Sequence, residues 1–127
     1  FSFSGLKTAI LYTCKKMTSD ELLKNRSDIA ASYQEAIIDT LLQKLRKVHQ
    51  KTNISKVSVA GGVAANSRFR EKASDLSEMI NLDIHFPKIE LCTDNAAMIA
   101  MAGYERLLSG EESLLDLPAI PNLSLAR

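Results

Sequence analysis

A short run of alternating polar and apolar residues, Lys56–Ala60 (KVSVA), stops at Gly61-Gly62 and gives way to Val63-Ala64-Ala65-Asn66. Val57 and Val59 fall on one side of this run, as in a half-buried strand. The residues after the glycines predict a helix from about Ala64 to Met79, with Phe69, Ala73 and Leu76 on one face. A strand that empties through glycines into a helix is a step in building an α/β protein. A second junction, Cys92-Thr93-Asp94-Asn95-Ala96-Ala97-Met98, sets Asp94 28 residues beyond Asn66. Two polar sites, each where a strand meets a helix, predict one cleft.

The remaining pattern fits this frame. Phe1–Phe3 is expected to close a strand, and Ser4 to cap a helix over residues 5–17 that carries Leu6, Ala9, Ile10 and Cys14 at helical spacing. Thr18–Arg26 reads as a polar connection with a short turn at Asp20–Lys24. Ser27 and Asp28 are expected to open the longest helix, running to about His49 on a stripe of Ile29, Tyr33, Ile37, Leu41, Leu45 and Val48, widened by Ala36 and Thr40. Leu82–Phe86 is a second strand stopped by Pro87, and Ile89–Cys92 a brief third. Thr93 and Asp94 are expected to cap a helix over Asn95–Leu108, ended by Gly110. The tail over 113–127, with Pro118 and Pro121, is expected to be irregular. The order is that of an α/β chain with helices on a small sheet. Three short strands are few for a free-standing sheet, and the chain starts at Phe1 inside a run that already reads as ordered. Both features point to a piece of a larger fold.

At 127 residues, 46% of them apolar, the chain is one domain or part of one and can bury a real core. No apolar run approaches the roughly 20 residues of a membrane span, and no signal peptide is visible. Cys14, on an apolar helical stretch, and Cys92, at the end of a strand-like run, read as buried thiols in a reducing compartment. Neither has a second Cys or His at zinc-ligand spacing. His49 and His85 stand alone and read as structural. The charge is uneven: residues 1–56 hold ten Lys/Arg against five Asp/Glu, and residues 57–127 hold six against ten, so +5 is followed by −4. A basic first part fits a polyanion and equally fits ordinary solvated helix faces.

The chemistry of the two junctions follows from residue type. Without a Cβ at Gly61 and Gly62, a phosphate or ribose can approach the backbone closely. The helix behind them offers unpaired amides and a positive dipole end. Asn66 can both donate and accept, as a ribose hydroxyl or an adenine edge requires. The same GG-x-x-x-N spacing also fits a tight turn with Asn66 turned to solvent. Asp94 fits a helix cap. If Thr93 caps instead, the Asp94 carboxylate is left as a hard oxygen ligand for a divalent metal. One Asp does not make a metal site, and neither histidine is placed to complete it. The small residues of the last helix (Ala96, Ala97, Ala100, Ala102, Gly103) allow close packing against another element.

Three blocks, Phe1-Ser2-Phe3-Ser4-Gly5-Leu6-Lys7-Thr8, Gly61-Gly62-Val63-Ala64-Ala65-Asn66-Ser67 and Cys92-Thr93-Asp94-Asn95-Ala96-Ala97-Met98-Ile99-Ala100, together resemble the TsaD/Gcp family in order and spacing. These are the tRNA adenosine threonylcarbamoyltransferases, once described as O-sialoglycoprotein endopeptidases. The resemblance covers essentially the whole chain. It implies an actin-like ATPase fold of two lobes, of which this chain is the C-terminal part, mainly the second lobe. It further implies that Asn66 contacts the nucleotide-bearing substrate, that Gly61 and Gly62 line its loop, and that Asp94 gives one ligand to iron or zinc. The family's other metal ligands are two histidines of an HxxxH motif, absent here, so the chain is not expected to catalyse alone. The implied donor is threonylcarbamoyl-AMP and the implied acceptor is tRNA, in the cytoplasm, with a paralogue and a small ATPase as further partners. The alternatives are a non-catalytic interaction module related to that paralogue, which the retention of Asp94 argues against, and a metal-dependent glycoprotease.

Overall fold

A computed structural model describes residues 3–116, 118 and 120. The chain divides into two compact units, Phe1–Cys92 and Thr93–Arg127.

The first unit opens with helix α1 (Ser4–Lys15), followed by helix α2 (Ser19–Thr52). Ser4 is the first residue of α1 rather than its cap. The cap position is Phe3, which has no side-chain capping bond. The expected break over Thr18–Arg26 does not occur, because α2 starts at Ser19. Thr18 and Glu21 form a capping box. The Thr18 hydroxyl accepts from the Glu21 amide at 3.3 Å, and the Glu21 carboxylate accepts from the Thr18 amide at 2.8 Å. Two orphan donors are thereby satisfied at the helix start, and a polar first turn follows without interruption. Thr52 is the last residue of α2. Asn53 then turns into the left-handed region (φ 55°), its amide donating to the His49 carbonyl at 2.8 Å. His49 supports the same end through a 2.7 Å bond between Nδ1 and the Ile54 carbonyl.

Strand β1 (Lys56–Ser58) and strand β2 (Asp83–His85) pair in parallel, Val57 opposite Ile84, with helix α3 (Ser67–Ile80) between them in the chain. This is a βαβ unit, and it bears out the α/β class expected of part of such a lobe. The third strand expected at Ile89–Cys92 is instead a turn of 3-10 helix over Ile89–Leu91, with Cys92 at its end. A run this short needs a neighbouring strand to extend against, and the described residues form a sheet of two strands only. The expected strand at Phe1–Phe3 rests on Phe1 and Ser2, outside the described residues.

The core sits where α2, α3 and the sheet meet. Ile38, Leu42, Phe69 and Ala73 are buried, and Leu41, Val59, Leu76, Ile84 and Phe86 pack against them. The predicted face of α3 is therefore correct. The predicted stripe of α2 is displaced by one residue: Ile37 and Leu41 are half-buried, Val48 is exposed, and the deepest positions are Ile38 and Leu42. Adjacent apolar pairs at 37–38 and 41–42 make the face two residues wide, and periodicity cannot choose between them. Ile29, Tyr33 and Ala36 serve a different contact, lining a groove against Leu6, Ala9 and Ile10 of α1. Cys92 is buried as expected, whereas Cys14 is only half-buried.

An ion network ties α2 to α3 beside this core. Arg68 Nε donates to Glu35 at 2.5 Å, Lys72 Nζ to Glu35 at 2.7 Å, and Lys72 also pairs with Asp39. Hydrogen bonds from Arg68, and next from Lys72, hold the Glu35 carboxyl down at about 2 against an ordinary 4.5. A depressed carboxyl contributes stability that is complete above its unfolded value and fades as the pH falls through its folded one. Glu35 is a third exposed, so the contribution is modest. The urea midpoint should therefore fall as the pH is lowered from 4.5 to 2, and Glu35→Gln should flatten that dependence. An unchanged slope in the variant would dismiss Glu35 as its source.

The second unit is built on helix α4 (Ala96–Leu108). No residue of α4 is buried, and Met98, Ile99, Tyr104, Leu107 and Leu108 are each at least half exposed. Gly110 follows with a positive φ of 80°, as the glycine expected to end the helix. Of the tail, 111–116 are without helix or strand, and residues 117, 119 and 121–127 lie outside the described residues. Among the described residues no helix is long and apolar enough to cross a membrane.

Candidate functional site

The glycine junction folds as one compact turn. Gly61 has φ 88° and ψ 173°, a conformation that side chains with a Cβ rarely adopt. Gly62–Ala65 is a 3-10 turn, in which the Ala64 amide donates to the Gly61 carbonyl at 2.9 Å and the Asn66 amide to the Val63 carbonyl at 3.0 Å. The expected single helix from Ala64 is thus two elements, because Asn66 takes an extended conformation and caps α3. Its Oδ1 accepts from the Phe69 amide at 2.9 Å. Asparagine is among the best residues at that position.

This turn forms one wall of a cleft of about 440 Å³. Gly62, Val63 and Asn66 line one side; Ala30, Tyr33, Gln34 and Ile37 of α2 line the other. A Cβ placed on Gly62 would meet nothing within 4 Å, so the backbone there is open to a ligand. Asn66 Nδ2 donates to Gln34 Oε1 across the cleft at 3.2 Å. Asn66 is therefore not turned to bulk solvent. With one amide hydrogen given to Gln34 and one lone pair given to Phe69, it keeps one donor and one acceptor site. Tyr33 and Gln34 were not foreseen as site residues, because nothing in an amphipathic pattern says which polar residue will face a loop far along the chain.

Arg70 is a third residue that the sequence pattern does not single out. Its Nε donates to the Ala64 carbonyl at 2.6 Å, and its Nη2 donates to the Pro87 carbonyl at 2.7 Å and to Cys92 Sγ at 3.4 Å. Its guanidinium carbon lies 4.9 Å from the centre of the Phe86 ring. It fastens the base of the glycine turn from behind.

Gly61, Gly62 and Asn66 are thus brought together at one junction of the first unit. Asp94 belongs to the second unit, and the element before it is the 3-10 turn, not a strand. Neither Thr93 nor Asp94 caps α4. Asn95 does, with Oδ1 accepting from the Met98 amide at 3.0 Å and Nδ2 donating to the Thr93 carbonyl at 2.8 Å. Asparagine and aspartate cap almost equally well, so sequence alone could not choose. The Asp94 side chain is left exposed and out of the cap. Among the described residues no group of three His, Cys, Asp or Glu is placed to hold a metal ion. Asp94 is suited to give one hard oxygen ligand, and the described residues do not complete a site around it.

The fold and the cleft define an α/β protein whose polar site lies where a strand hands over to a helix. A sequence model of TsaD, tRNA N6-adenosine threonylcarbamoyltransferase, matches residues 1–101. The chain is 51% identical over 125 residues to the tRNA N6-adenosine threonylcarbamoyltransferase of Thermosipho africanus, covering 98% of this chain and 37% of that protein. It is 50% identical over 125 residues to that of Fervidobacterium nodosum, covering 96% of this chain and 36% of the relative. The corresponding protein of Clostridium novyi is 43% identical over 125 residues, with 98% of this chain and 37% of the relative covered. The chain belongs to the TsaD family. It spans about 37% of the length of the curated relatives it matches.

Proposed function

We propose that the chain is the nucleotide-holding part of an enzyme that transfers a threonylcarbamoyl group from threonylcarbamoyl-AMP to tRNA. The acceptor is the exocyclic amine of the adenosine just 3′ of the anticodon, and the product is threonylcarbamoyladenosine. The observation that carries this reading is family membership across residues 1–101 together with a cleft at the glycine turn. In the transfer, the amine lone pair attacks the carbamoyl carbon. The bond from that carbon to the phosphate oxygen breaks, AMP leaves with the electron pair, and the amine proton passes to water. The chain contributes orientation. The open backbone at Gly62 admits the adenylate, and the donor and acceptor remaining on Asn66 suit a pair of ribose hydroxyls. The amides of Ser67 and Arg68, which have no acceptor within α3, favour an anion at the helix start.

Asp94 supplies one carboxylate to a divalent ion, iron or zinc, whose other ligands come from outside the described residues. Bound there, the ion supplies Lewis acidity toward the carbamoyl carbonyl. The tRNA substrate implies a cytoplasmic setting, and a paralogue and a small ATPase belong to the same proposal as partners.

The test is a chimera in which this chain replaces the matching segment of the Thermosipho africanus relative. It should transfer labelled threonylcarbamoyl to tRNA, and Asp94→Ala should remove both bound metal and at least about 99% of the turnover. A folded chimera without transfer would refute the assignment. Metal and turnover that both survive Asp94→Ala would remove Asp94 from the ligand set.

The contact with tRNA has a candidate in α2. No Asp or Glu falls between Asp39 and Glu71, a stretch with seven Lys and Arg. Lys44, Lys47 and Lys51 recur at spacings of three and four, all exposed, on the side of α2 opposite Ile38 and Leu42. Lys47→Glu with Lys51→Glu should weaken tRNA binding by the chimera and lower the slope of log affinity against log salt by about two. An unaltered slope would move the contact elsewhere.

A further inference from the structure

We propose that Arg70 is a positioning residue that couples the glycine turn to the segment Pro87–Cys92, so that occupancy of the cleft is felt at Cys92. A planar guanidinium reaches both places at once: Nε holds the Ala64 carbonyl, and Nη2 holds the Pro87 carbonyl and the Cys92 sulfur. A lysine ammonium, a point donor on a flexible stem, cannot span that fork. Among the described residues no carboxylate pairs with Arg70. Its partners are carbonyls, a thiol and the Phe86 ring, and its role there is geometric.

Both ends of the bridge are packed hard. Ala64 is 0% exposed and Cys92 3%. Close-packed groups transmit displacement where loose ones absorb it. Arg70 is also fixed at its own backbone, its amide donating to the Asn66 carbonyl at 3.1 Å. A ligand that fixes Asn66 and the 3-10 turn therefore also fixes the guanidinium that covers the Cys92 sulfur. The Cys92 thiol in turn donates to the Lys88 carbonyl at 3.4 Å. Cys92 stands two residues before Asp94 in the chain.

Only the ligand half of this inference rests on the proposed adenylate site, and the experiment separates the two. The full chain carrying Cys14→Ser, so that Cys92 alone reports, is compared with its Arg70→Lys and Arg70→Gln variants. Without ligand, Arg70→Lys should speed amide hydrogen exchange about tenfold in both 61–66 and 87–92, with α2 unchanged. It should also speed alkylation of Cys92 by a similar factor. General destabilisation would raise exchange in α2 as well, and Arg70→Lys preserves charge should Arg70→Gln fail to fold. If only one segment loosens, or neither, the bridge is refuted. With AMP added, Cys92 alkylation should slow in the parent and not in Arg70→Lys. AMP that binds by calorimetry and leaves the alkylation rate unchanged would overturn the coupling while the cleft reading stands. AMP that does not bind would overturn the cleft reading, and the exchange result then decides the role of Arg70 by itself.

Discussion

Phe69→Ala should come close to unfolding the first unit. Phe69 is 4% exposed and meets Phe86 edge to face, ring centres 5.8 Å apart at 84°. Truncating a buried phenylalanine costs about 3–5 kcal/mol, and whole domains hold only about 5–15. The buried cluster here consists of Ile38, Leu42, Phe69 and Ala73, and Phe69 is its only aromatic ring. The melting temperature, followed by circular dichroism, should fall by roughly 15–30 °C. A fall of a few degrees would mean that the unit is held by something other than this cluster.

Asn66→Asp should separate folding from binding. Aspartate caps a helix about as well as asparagine, and its charge is favoured at a helix start, so the melting temperature should hardly change. The variant loses the donor that meets Gln34 and sets a carboxylate beside the site proposed for a phosphate. Its affinity for AMP, measured by calorimetry, should drop about a hundredfold or more. Asn66→Ala should lose binding too, with about 1 kcal/mol of stability. Parent-like binding by Asn66→Asp would remove Asn66 from the ligand contacts and leave it a cap.

Local patterns carried much of this architecture. Val57 marks β1, with Val59 just past its end on the same side, and Phe69, Ala73 and Leu76 mark the inner face of α3, because burial and periodicity agree there. The start of α2 is also written in the sequence, as Thr18 three residues before Glu21, although the polar residues around it look like a connection. Tertiary choices were out of reach. Ile38 outranks Ile37 only because of where α3 lies, and Ile89–Leu91 coils because no strand runs beside it. The candidate site divides in the same way. Gly61, Gly62 and Asn66 stand out by type and spacing, whereas Gln34 and Arg70 reach it across 32 and 6 residues of chain, through contacts that no spacing rule encodes.

The uninterrupted α2 has one further consequence. Gln34, at the cleft, and Lys47 and Lys51, on the outer stripe, ride on the same rod, so their axial separation is set at roughly 20–25 Å by helix rise alone. A polyanion gripped by those lysines would present to the cleft whatever part of itself lies that far along its own contour. The helix would then act as a ruler, choosing by distance where base-edge contacts would choose by sequence.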